Sequence, residues 1–90
     1  MRKIIISVVG LDTVGIIAKI CMYLAEHKIN ILDISQTIVS NYFNMMMIVD
    51  ISNTDLSFEE MSEKLQAIGE DMGLNIRCQR EEIFTSMHRL

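Results

Sequence analysis

Between two apolar runs near the amino terminus lie Gly10, Leu11, Asp12, Thr13, Val14 and Gly15, two glycines five positions apart with a carboxylate between them. Three roles fit such a turn: a plain connector, a phosphate cradle, or a pocket for a small zwitterion. A phosphate cradle calls for a cation or for the G-x-G-x-x-G spacing of a nucleotide loop. The stretch holds neither, so phosphate is disfavoured. A zwitterion pocket needs unpaired N–H groups at a helix start for the carboxylate and an acid such as Asp12 for the ammonium. Asp12 equally suits the simpler task of capping the helix that follows.

Elsewhere the chain offers no set of nucleophile, base and orienting group. Ser7 and Ser35 have no nearby histidine, His27 adjoins Lys28 at a helix end, and His88 lies in the tail. Cys21 and Cys78 fall within apolar patterns without C-x-x-C spacing. They are expected as small buried thiols in a reducing cytoplasm rather than as a disulfide or metal pair. No catalytic residue, metal site or cofactor is expected. A net charge of −4 argues against binding to a nucleic-acid backbone, which needs clustered Lys and Arg. No apolar run approaches the roughly 20 residues of a membrane span. Arg2 and Lys3 precede only the short run Ile4 to Val9, so no signal peptide and no membrane partner are expected.

The elements that must position the turn follow from periodicity. Ninety residues make one domain. Residues 4–9 form a strand apolar at nearly every position, as central strands are. A helix from about residue 14 to 27 buries Ile17, Ile20, Cys21 and Leu24. A second strand over 29–39 turns Leu32, Ile34 and Ile38 one way and Ile31, Asp33, Ser35, Thr37 and Val39 the other. Asn41 takes a positive φ in the tight turn that follows, and a third strand aligns Phe43, Met45, Met47, Val49 and Ile51. Ser57 and Glu60 have capping-box spacing, flanked by Leu56 and Met61 as a hydrophobic staple. Phe58, Met61, Leu65, Ile68 and Met72 then mark a helix closed by Gly73. Leu74, Ile76 and Cys78 point inward from a fourth strand, and residues 83–90 are expected to add a short helix. The order β-α-β-β-α-β implies an α+β, ferredoxin-like sandwich: a four-stranded antiparallel sheet with both helices on one face. The uncovered face then carries Ile5, Ile31, Val39, Met46 and Ile48. In a chain that is 50 % hydrophobic, such a face implies a homodimer.

RNA-recognition domains share this topology but stack bases on sheet aromatics, and only Tyr42 and Phe43 lie in a strand region here. The stretch GLDTVGIIAKICMYLAEHKINILDISQTI instead resembles an ACT domain, the module that binds amino acids in many enzymes of amino-acid metabolism. Asp12, Gly15, Ile16, Ile29, Asn30 and Ile31 stand where the family pattern has its Asp, its helix-opening Gly-Ile and its Ile-Asn-Ile. Thr13 and Val14 depart from the usual Arg-Pro, and Lys28 from the usual Gly. The resemblance covers the whole chain, and NILDISQTI with YFNMMMIVDIS looks like the stand-alone, single-domain ACT proteins of bacteria and archaea. It implies an ACT domain over residues 1–82 followed by the tail, and a ligand site built from Gly10, Leu11, Asp12, Thr13, Val14, Gly15, Asn30 and Ile31. It further implies a cytoplasmic, non-catalytic regulatory module that holds an amino acid at a dimer interface and modulates a protein partner. The alternative is a structural dimerisation protein whose ligand site is vestigial.

Overall fold

The computed structural model describes residues 2–11 and 14–81. The expected tail helix, and Asp12 with Thr13, lie outside the described residues. Strand β1 (Lys3–Leu11) pairs antiparallel with β3 (Tyr42–Asp50) on one side and with β4 (Leu74–Arg80) on the other. Strand β2 (Asn30–Val39) joins the far side of β3, giving the order β2-β3-β1-β4. Helices α1 (Ile16–Glu26) and α2 (Phe58–Met72) both pack onto the face that carries Ile6, Val8, Met47 and Val49. This is the ferredoxin-like arrangement, with β1 central as its apolar sequence demands.

Local chemistry sets the joints. Ser40 and Asn41 take φ values of 51° and 70°, a two-residue hairpin loop with both centres left-handed, whose twist matches the flanking strands. At the start of α2 the Glu60 N–H donates to Ser57 Oγ at 3.1 Å and the Ser57 N–H donates to Glu60 Oε1 at 3.2 Å. Gly73, at φ 71°, ends that helix in the left-handed cap the sequence predicts. The Arg80 guanidinium lies 4.5 Å from the Phe58 ring centroid and 4.0 Å from Glu59 Oε1, tying the end of β4 to the start of α2. At the opposite end of β3, Asp50 Oδ1 accepts from Ser52 Oγ at 2.6 Å and from the Arg2 N–H at 3.3 Å. Each fully buried side chain such as Met61 or Leu65 contributes about 1.5–3 kcal/mol by leaving water.

Three expectations change. The β2–β3 register jumps from Ile31↔Val49 to Asp33↔Ile48, so Leu32 is the extra residue of a β-bulge. Ile31 therefore shares the inward face of Val49 and packs against the core instead of lying on the open face. On α1 the buried residues are Ile16, Ile20, Tyr23 and Leu24, while Ile17 and Cys21 are only half-buried. The stripe is rotated toward Tyr23, whose long ring reaches the core from a position that short side chains could not fill. The open sheet face is also more polar than expected. Across the three neighbouring strands Ser7, Met46 and Ser35 make one row, and Val9, Asn44 and Thr37 the next.

Candidate functional site

The loop after β1 owes its glycines to two different constraints. A Cβ on Gly10 would sit 2.6 Å from Leu74 Cδ2 and 3.1 Å from the Gly73 carbonyl oxygen, so the close passage of β4 admits no side chain there. Gly15 meets nothing within 4 Å, but its φ of 88° is a left-handed conformation. Handedness, not crowding, selects glycine at that point. Gly15 is the N-cap of α1, its carbonyl accepting the Lys19 N–H at 3.0 Å. The cap has no side chain to give, and the first turn of α1 holds no acid. Its leading N–H groups and positive dipole end are thus suited to a carboxylate. Around them Leu11 is exposed and Val14 is 99 % exposed.

Asn30 is the exposed first residue of β2, opposite Asp50 and three residues past the C-cap of α1. The cap is His27, and Lys28 takes the left-handed position at φ 58°. Ile31, beside Asn30, faces the helices. Strand register separates these residues from the loop. Leu11 is level with Tyr42 and Val39, whereas Asn30 is level with Asp50 and Lys3. Along β1 the two levels are about 27 Å apart at 3.4 Å per residue. One protomer therefore does not bring Asn30 to the loop.

A separate cleft of about 280 Å³ opens at the other end of α1, lined by Tyr23, His27, Leu56, Glu60, Glu63 and Lys64. The Tyr23 and His27 rings lie 4.6 Å apart at 52°. Tyr23 is only 9 % exposed, and its hydroxyl, shut off from water, has no hydrogen-bond partner among the described residues. Burial, then the nearby Cys78 and Glu60, push this phenol above its ordinary pKa. Burial likewise pushes the Cys78 thiol up to about 12, against the pull of its hydrogen bond with Ser62. A thiol held neutral is a poor nucleophile. Both cysteines are free. Among the described residues no three His, Cys, Asp or Glu side chains converge to hold a metal ion, and no helix is long and apolar enough to cross a membrane. The sequence pattern marks His27 only as a helix-end residue and does not single out Tyr23. Its spacing from Ile16 and Ile20, and the aromatic pair four residues apart, were the available signals.

A family model described as the ACT domain matches residues 2–79. A UPF0237 protein of Bifidobacterium longum is 62 % identical over 90 residues, covering the whole of both chains. One from Methanocaldococcus jannaschii is 47 % identical, again over the whole of both. Among solved structures, an ACT domain protein from Streptococcus pneumoniae superposes with a TM-score of 0.80 at 38 % identity, over 92 % of this chain and 93 % of the other.

Proposed function

The chain belongs to the ACT-domain family, and from that premise we propose that it is a non-catalytic regulatory module that binds an amino acid between two copies of itself and so modulates a partner protein. The observation that carries this reading is the separation of the loop from Asn30. Each lies at a different end of the sheet, and a second copy can bring them together. Strand β2, one of the sheet's two edge strands, offers a place to do so. Its side chains are exposed at every position except Ile31, and Asp33 is its one charge. Edges that must stay unpaired usually carry Lys, Pro, a bulge or a short strand, and of these β2 has only the bulge at Leu32. Two β2 edges paired antiparallel about a twofold axis set Asn30 of one protomer beside Val39 of its partner. Val39 is level with the partner's own loop. Each dimer then has two composite sites: α1 N–H groups for the carboxylate, and Asp12 and Asn30 for the ammonium. Cys21 and Cys78, free and partly buried, suit a reducing cytoplasm.

The test is a thermal-shift screen with the twenty amino acids. A ligand at about 100 times its dissociation constant stabilises by roughly 2.7 kcal/mol. Asp12→Ala and Asn30→Ala are expected to abolish that shift separately. In mixed dimers one site carries both lesions and the other none, so calorimetry on the mixture should regain binding. If no amino acid moves the transition, the chain is a structural dimerisation protein with a vestigial site.

A further inference from the structure

We propose that the cleft between α1 and α2 is a second ligand site, taking a small primary amine that also carries a hydrogen-bond acceptor. This site lies apart from the loop, its lining drawn from α1, α2 and Leu56 just ahead of α2. An 11-residue helix separates it from the loop, about 16 Å at 1.5 Å per residue. Two observations support it separately. The cleft is already formed, near the small end of the roughly 300–1,000 Å³ range of ligand pockets. One of its lining residues, Tyr23, is only 9 % exposed and carries a hydroxyl that is shut off from water and unpartnered among the described residues. Folding alone gives no return for leaving such a donor unmade.

The walls set the ligand's charge. Two carboxylates, Glu60 and Glu63, face one ammonium, Lys64. Neither Glu63 nor Lys64 takes part in an ion pair within the described residues, and Glu60 spends only Oε1, on the Ser57 N–H. The α2 N-terminus, which would otherwise attract an anion, is answered by its own Glu59 and Glu60. The place left is for a cation, with the Tyr23 and His27 rings as its apolar wall. A neutral phenol donates to the ligand's acceptor. Glu60 and the half-buried Leu56 are the side chains that give way to admit it.

The probe is 4-aminobutan-1-ol, followed through the ring resonances of Tyr23 and His27. Butan-1-ol lacks the ammonium, butyrate reverses the charge, and n-butylammonium lacks the acceptor. The amino alcohol is expected to give saturable shifts at both rings, with n-butylammonium weaker and the other two inert. Tyr23→Phe keeps the ring, so it should fold with an unchanged or higher Tm and bind the amino alcohol about tenfold more weakly, the worth of one hydrogen bond. Glu63→Gln, at an exposed position, should weaken it comparably. The proposal is overturned if no titration saturates, if butyrate shifts the rings as strongly, or if Tyr23→Phe binds the amino alcohol as tightly as the parent. The amino-acid screen reads the loop and this titration reads Tyr23 and His27, so each reading can fail without the other.

Discussion

Lys28 shows how much a single backbone angle can reveal. At φ 58° it occupies a region that a residue with a Cβ enters at a cost of roughly 1–2 kcal/mol. ACT sequences usually place glycine there, and the structure supplies the reason. Lys28→Gly should raise stability, less the entropy that glycine adds to the unfolded chain, for a net gain of about 0.5–1 kcal/mol. A shift of the urea midpoint at constant slope would show it. Asp50 makes a prediction in pH. The Ser52 hydroxyl and N–H, with the Arg2 N–H, hold its carboxyl below the ordinary value of 3.8. A carboxyl lowered on folding stabilises above its unfolded pKa and loses that contribution as pH falls through the folded value. Asp50→Asn should therefore be less stable than the parent near neutrality. The gap should close as both are titrated below pH 3.8; a gap that persists in acid would mean that charge plays no part.

At the scale of elements, α2 and β4 pack through a missing side chain. A Cβ on Gly69 would lie 2.9 Å from both Ile76 Cγ1 and the Leu74 carbonyl oxygen. Helix propensity favours Gly69→Ala by about 1 kcal/mol, while forcing α2 off the strand costs about 1–3 kcal/mol. Backbone is the harder obstacle, so crowding should win and thermal unfolding should begin earlier. Much of this level was legible beforehand. Ser57 with Glu60 fixes the start of α2, Gly73 its end, and Asn41 the hairpin, because each is a local bond or angle that one residue type satisfies best. The bulge at Leu32 was not legible, since adjacent apolar residues such as Ile31 and Leu32 read equally well as one on each face of an unbroken strand. The rotated stripe of α1 was missed for a related reason: periodicity locates a face only to within a residue or so, and Tyr23 settles the choice by its reach. For the candidate site, local signals and long-range geometry part company. The loop announced itself through its glycines, whereas the distance between the loop and Asn30 exists only once strands are in register.

For the whole molecule, the proposed dimer turns on which surface meets a second copy. Sequence alone pointed to the helix-free face, through Met46 and Ile48. The register of the strands and the long bare edge point to β2. Ile38, 58 % exposed on that edge strand, accepts a charge without disturbing the core. The parent chain of 10.3 kDa should sediment as a dimer at micromolar concentration. Ile38→Lys should run as a monomer with its Tm little changed, while Met46→Lys should remain dimeric. The reverse result would place the contact on the sheet face and leave the composite site without support.

The sheet order also bears on how the protein is made. Strand β1 is synthesised first and β4 last, yet the two lie side by side, Ile4 opposite Arg80. Until Leu74 to Arg80 have left the ribosome, one edge of the central strand is bare, and β2 stands open at the other side of the sheet. Contacts so distant along the chain form late, and unpaired apolar edges are what chaperones and aggregates both seize. A message broken ahead of β4 would therefore yield a sticky fragment whose central apolar strand has become an edge, not a smaller working module.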